Sequence, residues 1–214
     1  MHCDRIFAEQ SGNDPFYGMN IGFIVDGDSL NTDFSRAGTK TLSMILSDST
    51  RWNSGRAWNI GVPGQTATQM NADNAAQYAA IIPAMEGCNK KIVVIEAGIN
   101  DLAASETSAT VLTRLTTAVT TAKSAGAEVC ICTITPATSI TAGKETARLA
   151  VNVGILAGDT GANYVADAAG LAHAANPADA TYYVDGVHWT VALQTEVADL
   201  ILAAVPRRYR SSFM

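Results

Sequence analysis

The run Ile21-Gly-Phe-Ile-Val-Asp-Gly-Asp-Ser-Leu30 contains the first clear structural signal in this sequence. Its first half is continuously apolar and does not alternate between apolar and polar residues. That pattern is typical of a strand buried on both faces, as in a parallel sheet. Its second half changes to glycine, aspartate and serine. The run therefore predicts a central strand that ends in a polar loop.

Other strand-like stretches recur along the chain, and segments with helical periodicity lie between them. The further strands are predicted at Ala57-Trp-Asn-Ile60, Ile92-Val-Val-Ile95, Val129-Cys-Ile-Cys-Thr-Ile134 and Asn163-Tyr-Val-Ala166. The main helices are predicted over 66–82, after Glu106, over 141–156, and through Leu193 to Ala204 after a Thr190 cap. Strands that alternate with helices predict an α/β fold, a three-layer α/β/α sandwich with a mostly parallel five-stranded sheet.

Length and composition indicate one globular domain. The chain has 214 residues, of which 48% are hydrophobic and 16% charged. We expect residues 21–214 to form a single domain and residues 1–20 to form an irregular arm. The net charge of -6 argues against binding to a nucleic acid backbone. The absence of a membrane-span-length apolar run, or of a signal-like segment, favours a cytoplasmic protein.

The four cysteines include no C-x-x-C pair, so we expect no zinc site and no metal or other cofactor. Cys130 and Cys132 would point to the same face of a strand, where we interpret them as small buried residues. A metal site built on Asp26 and Asp28 is an alternative, but no third ligand with suitable spacing is apparent. The sequence does not indicate the oligomeric state.

Short polar motifs follow the first three predicted strands. They are Gly27-Asp-Ser-Leu30, Gly61-Val-Pro-Gly64 and Gly98-Ile-Asn-Asp101, and a fourth motif, Asp185-Gly-Val-His188, precedes the last helix. In open α/β sheets, ligands bind outside the carboxyl ends of the strands. Core packing alone does not predict polar motifs at that edge, so we expect a functional site there.

These motifs resemble the GDSL/SGNH hydrolase family, whose blocks supply a Ser, a Gly, an Asn and a His in that order. The matching positions are Ser29, Gly64, Asn100 and His188, with Asp185 three residues before the histidine. The resemblance implies the flavodoxin-like fold of that family and a serine esterase that needs no cofactor. In the second block the family often has an acidic residue after its glycine, and here Gln65 stands there, which puts the substrate in doubt.

The resemblance implies that Ser29 is the nucleophile, with His188 as its base and Asp185 behind the base. The spacing of Asp185 and His188 suits a tight turn in which the carboxylate reaches Nδ1 and leaves Nε2 for the serine. His2 and His173 lack such a carboxylate, and we interpret them as polar surface groups.

The backbone N–H groups of Ser29 and Gly64 and the amide of Asn100 are the implied oxyanion donors. Considered alone, Gly64 also fits an ordinary turn glycine, and Asn100 a helix cap or turn residue. Asp28 and Asp101 are expected to hold the loops through hydrogen bonds to backbone.

Hydrolysis of esters with short acyl chains is the leading functional hypothesis, because the connections are short and no lid-sized apolar insertion is visible. The substrate would be a small-molecule or carbohydrate ester, with carbohydrate O-acetyl esters as one possibility. Several aromatic residues near the motifs could form a rim for sugars or aryl esters: Trp52, Trp58, Tyr182, Tyr183 and Trp189. An acyltransferase that uses the same triad and a non-catalytic carbohydrate-binding or structural module are the alternatives.

Overall fold

A computed structural model describes residues 21–31, 40–48 and 56–205 of the chain. The predicted arm at residues 1–20, the basic segment Arg207-Arg-Tyr-Arg210 and Trp52 lie outside the described residues. The division into an arm and a single domain over 21–214 therefore stays a prediction.

A five-stranded parallel sheet forms the centre of the protein, as the sequence predicts. Its strands are β1 Ile21–Gly27, β2 Ala57–Asn59, β3 Lys90–Glu96, β4 Glu128–Cys132 and β5 Tyr164–Ala166. They lie in the order β2-β1-β3-β4-β5, and each neighbouring pair is parallel. The chain passes from β1 outward to β2 and then crosses to β3 on the other side of β1. This is the flavodoxin-like strand order, and the reversal beside β1 is where such sheets open a crevice.

Helices cover both faces of the sheet and complete the three layers. They are α1 Leu42–Asp48, α2 Ala67–Ala84, α3 Ile99–Ala103, α4 Ser108–Ser124, α5 Ala142–Ala157 and α6 Val191–Ala204. The buried residues of α2, α4 and α5 pack in one core with alternate side chains of the central strands. Those of α1 and α6 pack with the remaining strand side chains in a second core.

The predicted apolar stripes are largely the buried faces of their helices. All four stripe residues of α4, from Val111 to Ala122, are buried. In α6, Leu193, Val197 and Ile201 are buried, whereas Leu200 and Ala204 are only partly covered.

Two helix ends differ in detail from the prediction. Helix α2 runs one residue past Pro83, to Ala84, before the N–H of Met85 donates to the carbonyl of Ile82. Thr190 occupies the N-cap position of α6, but its hydroxyl donates to the carbonyl of Thr181 and does not cap the helix.

Cys130 and Cys132 lie on β4 and are buried in the core shared with α1 and α6. Both are free thiols, which confirms their interpretation as small buried residues. No helix within the described ranges is long and apolar enough to cross a membrane.

Candidate active site

Ser29 lies directly after β1, the strand at the crevice of the sheet, and begins a short 3-10 helix over Ser29–Asn31. The turn is shaped by Asp28, whose Oδ1 accepts a 3.0 Å hydrogen bond from the N–H of Leu30. Ser29 itself is partly exposed. Its Oγ forms a 2.8 Å hydrogen bond with Nε2 of His188, although 159 positions separate the two residues. The fold thus brings together a hydroxyl and an imidazole.

Asp185 and His188 form the tight turn that their spacing predicts. Oδ1 of Asp185 accepts hydrogen bonds from the backbone N–H groups of Val187, at 3.1 Å, and His188, at 2.9 Å. Its Oδ2 lies 2.7 Å from Nδ1 of His188. One short loop therefore orients both the carboxylate and the ring that it contacts.

Asp185 keeps its negative charge at any pH at which a histidine base would work. Burial raises its pKa, but the hydrogen bonds from the backbone and ring of His188 and from the backbone of Val187 outweigh burial and lower the pKa to about 2. Half of the Asp185 side chain is exposed (50%), so solvent screens its charge on the outer side. A permanent carboxylate at Nδ1 keeps the proton on that nitrogen and leaves Nε2 to face Ser29.

The loop between β4 and α5 packs against the turn of Asp185 and His188 and stabilises it. The N–H of Thr138 donates to the carbonyl of Gly186 at 2.9 Å. Gly186 has a φ of +81°, and a Cβ there would lie 2.2 Å from Oγ1 of Thr138, so only glycine fits. Trp189 is fully buried and donates from Nε1 to Oγ1 of Thr135 at 3.1 Å. Sequence reasoning did not find these two threonines, because neither belongs to a motif.

The loops after β2 and β3 bring Gly64 and Asn100 to the same edge of the sheet as Ser29. Gly64 is exposed, and its φ of +75° favours glycine. Asn100 lies in the first turn of α3, whose N-cap is Gly98, so Asn100 is not the helix cap that its position alone allowed. Its Nδ2 donates to Oδ2 of Asp28 at 3.1 Å and to the carbonyl of Gln65 at 3.0 Å.

The expected structural role of Asp28 and Asp101 is confirmed. Asp28 accepts the hydrogen bond from Leu30 described above. Oδ2 of Asp101 accepts a 2.8 Å hydrogen bond from the N–H of Ala67, at the start of α2. Oδ1 of Asp101 accepts from Arg114 of α4 at 2.8 Å. These fully buried carboxyls tie the loops of the site to the helices behind it.

Several acidic groups are buried beneath the site. Burial raises the pKa of Asp28 and of Glu96 well above the usual range of a carboxyl group; the charge of Asp101 raises the pKa of Asp28 further, and the charge of Asp28 raises that of Glu96. Burial also raises the pKa of Asp26 to about 7, although its Oδ2 accepts a 2.5 Å hydrogen bond from the hydroxyl of Tyr78. Within the described ranges, no three or more His, Cys, Asp or Glu side chains are grouped to hold a metal ion.

Gln65, which follows Gly64, is only 8% exposed, and its Nε2 donates to the carbonyl of Gly27. The described residues do not form the suggested aromatic rim: Trp58 is half-buried and packs against the core. Trp189 and Tyr183 are fully buried, and Tyr182 stacks on His173 with ring centroids 4.1 Å apart. Large aromatic rings are valuable in a core, so closeness in sequence to a motif does not place them at its surface.

His173 is a surface residue, as expected, and lies apart from Ser29. Its Nδ1 is 2.7 Å from a carboxylate oxygen of Glu196. It lines a cleft of about 1240 Å³ between α1 and α6 that includes none of Ser29, Asp185 and His188. The hydrogen-bonded geometry, and not this cleft, therefore locates the candidate site.

Solved structures share this fold over most of the chain. A lipolytic protein of the G-D-S-L family from Veillonella parvula aligns with a TM-score of 0.68 at 19% identity, over 86% of this chain and 97% of that one. The psychrotrophic esterase EstA from Pseudoalteromonas sp. aligns with a TM-score of 0.61 at 17% identity, over 86% and 96%. A GDSL-like lipase from Bacteroides thetaiotaomicron gives 0.62 at 18% identity, over 85% of each chain. At such identities the likeness establishes the fold alone.

Sequence comparison supplies the family. A search of curated protein sequences found no match. The model of the GDSL-like lipase/acylhydrolase family matches residues 26–194, a span that contains the serine, glycine, asparagine, aspartate and histidine described above. The chain belongs to the GDSL-like lipase/acylhydrolase family and is a carboxylic ester hydrolase.

Proposed function

We propose that this protein hydrolyses carboxylic esters of short acyl chains through an acyl-enzyme on Ser29. The observation that carries the proposal is the unbroken line of hydrogen bonds from Oδ2 of Asp185 through the ring of His188 to Oγ of Ser29, at 2.7 and 2.8 Å. A serine hydroxyl is a weak nucleophile until a base takes its proton, and this arrangement supplies the base already in contact.

The reaction proceeds in two halves. As Oγ of Ser29 attacks the ester carbonyl carbon, Nε2 of His188 takes the hydroxyl proton, and the carbonyl oxygen becomes an oxyanion. The imidazolium then gives that proton to the leaving alkoxide, which departs as an alcohol and leaves the acyl group on Ser29. In the second half, His188 takes a proton from water, the resulting hydroxide attacks the acyl carbon, and the acid leaves while Oγ regains its proton. Asp185 stays ionised throughout and stabilises the imidazolium.

The backbone N–H groups of Ser29 and Gly64 and the amide of Asn100 are proposed to stabilise the oxyanion. These donors lie on loops that follow three adjacent strands, β2, β1 and β3, so all of them lie at the same edge of the sheet. The amide of Asn100 already donates to two acceptors, so an oxyanion would share one of its N–H groups. Preorganised donors of this kind act without further rearrangement as charge develops.

The surface around Ser29 supports small acyl groups. Gly64 is exposed, and the space beside its Cα is open. The nearby apolar side chains are Val62, whose N–H donates to Gly27, and Val184, whose N–H donates to His188. They are 45% and 53% exposed, respectively, so these apolar side chains of the described part of the chain are open to solvent. Such a surface can cover an acetyl or butyryl group but adds little for each further methylene. Because the described aromatic residues near the motifs are buried, packed against the core or stacked on a histidine, a stacked sugar has less support than a small ester.

A series of p-nitrophenyl esters from acetate to laurate tests this proposal. We expect kcat/KM to be highest for acetate or butyrate and to fall by about tenfold or more by octanoate, because the exposed side chains of Val62 and Val184 add little contact with a longer chain. Acetylated xylo-oligosaccharides and an added alcohol acceptor form parallel arms, which detect carbohydrate deacetylation and acyl transfer. A kcat/KM that rises steadily to laurate would contradict the short-chain proposal, and Ser29→Ala serves as the inactive control.

A further inference from the structure

Gln65 is a nearly buried residue. It contacts the three loops that carry the proposed oxyanion donors Ser29, Gly64 and Asn100. Its Nε2 donates to the carbonyl of Gly27 at 2.6 Å, two residues before Ser29. Its own carbonyl accepts from Nδ2 of Asn100 at 3.0 Å. It also follows Gly64 directly, and its N–H donates to the carbonyl of Val62 at 3.2 Å. A single residue thus joins the loops after β1, β2 and β3.

The contact with Gly27 requires a hydrogen-bond donor at position 65. The carbonyl of Gly27 accepts one bond from the N–H of Val62 at 3.1 Å and a second from Gln65. A carboxamide can donate to this second lone pair, but an ionised carboxylate cannot. A carboxylate there would also direct negative charge at a carbonyl oxygen in a buried place, which is costly.

We propose that Gln65 is a positioning residue that sets the geometry of the oxyanion donors through its amide. This inference rests on the function proposed above and extends it to a residue that touches neither substrate nor reacting atoms. The amide holds the loop of Gly64 against the end of β1, and the Gln65 carbonyl holds the Asn100 side chain. Displacement of reacting groups by about 1 Å can cost about a hundredfold in rate. The hydrogen bond from Gln65 to Gly27 therefore affects turnover if it holds the oxyanion donors in place.

The substitution Gln65→Glu tests the amide itself, because it keeps the size and shape of the side chain. The acidic groups near the site are Asp26, Asp28, Glu96, Asp101 and Asp185; Arg114 pairs with Asp101, and His188 contacts Asp185. Burial among carboxyls favours the neutral form of the new glutamate at low pH, when its O–H can donate to Gly27. At higher pH the carboxylate forms and the tie is lost.

The expected signature is a change in the shape of the pH profile. In the wild-type enzyme the amide of Gln65 donates to Gly27 at every pH, so we expect no fall in kcat at high pH. In Gln65→Glu we expect kcat to rise and then fall again, ending about ten- to a hundredfold below wild type at pH 8.5, with little change in KM. Loss of stability alone would lower the amount of folded enzyme without making this profile bell-shaped.

Gln69→Glu is the matched control, since Gln69 is exposed and uses only its Oε1, which accepts from the N–H of Thr66. A glutamate keeps that bond, and its profile should follow wild type. Gln65→Met removes the donor without adding charge, so it should lower kcat at every pH and keep the wild-type shape. Circular dichroism confirms folding of each variant.

The proposal is overturned if Gln65→Glu and Gln65→Met are both folded and both keep kcat within about twofold of wild type from pH 6 to 9. It is also overturned if Gln69→Glu shows the same bell-shaped profile. Failure of the underlying function is distinguishable: Ser29→Ala would then keep its activity, whatever the Gln65 variants do.

Discussion

Replacement of Asn100 by aspartate changes one donor into an acceptor at the proposed oxyanion site. In the wild type, Nδ2 of Asn100 donates to Oδ2 of Asp28 at 3.1 Å and to the carbonyl of Gln65 at 3.0 Å. An aspartate of nearly the same shape would face both acceptors with an oxygen. Two carboxyls at such a distance cannot both ionise easily, so the new group and Asp28 would share a proton.

The magnitude has two parts. Loss of one oxyanion donor typically costs about a hundred- to a thousandfold in kcat, or about 2.7–4 kcal/mol. Loss of two hydrogen bonds to partly buried groups costs about 1–3 kcal/mol of unfolding free energy. Asn100→Ala should show the full loss in kcat and a smaller loss of unfolding free energy. Asn100→Asp should be at least as damaging to kcat, and KM should change less than kcat because the contact strengthens as charge develops.

The assay is steady-state hydrolysis of p-nitrophenyl acetate at pH 8, with urea unfolding measured on the same samples. Asn71→Asp is the matched control: Nδ2 of Asn71 donates to the carbonyl of Arg114 at 2.9 Å, away from Ser29. That variant should lose stability and keep its kcat. A folded Asn100→Asp enzyme with near-normal kcat would refute the reasoning and remove Asn100 from the site.

Three further predictions follow from individual contacts. Asp185→Asn keeps the loop bonds to Oδ1 but presents an amide to His188, so kcat should fall by about a thousand- to ten-thousandfold; near-normal turnover would contradict the role of the carboxylate. Because burial raises the pKa of Asp26 to about 7, unfolding free energy should decrease as pH rises from about 4 to 7. Asp26→Asn should lessen that slope in urea titrations without abolishing it, because burial also raises the pKa of Asp28 and Glu96, and an unchanged slope would exclude Asp26 as a source. Gly186→Ala should cost about 1–3 kcal/mol and lower kcat, because its Cβ would meet Thr138 at a φ of +81°; a fully stable variant would show that the turn adapts.

The strands and the places of the motifs could be predicted from sequence because both are local signals. Continuous apolar runs marked several of the strands, among them β1, β3 and β4, and the polar motifs began within two residues of the ends of β1, β2 and β3. The turn from Asp185 to His188 was predictable for the same reason, since a three-residue spacing limits how a carboxylate can reach a ring. The hydrogen bond between Ser29 and His188 spans 159 positions and could be expected only from the family resemblance.

The direction of the remaining side chains depended on tertiary contacts. Gln65 departs from the residue that the family often has, but a departure does not say whether a side chain faces solvent or the core. Its inward direction follows from the carbonyl of Gly27, which lies 38 positions earlier. Trp189 and Tyr183 could equally have formed a rim, and their burial depends on space between α6 and the sheet that no short motif describes. Thr135 and Thr138 act through contacts with a distant turn.

Labelling with a fluorophosphonate, followed by peptide mapping, tests most directly whether Ser29 is the activated nucleophile. We expect one label per chain, on the peptide that carries Ser29. Ser29→Ala should take up none, and His188→Ala should react far more slowly because the base is missing. Label on a different residue, or equal labelling of the Ser29→Ala protein, would contradict the assignment.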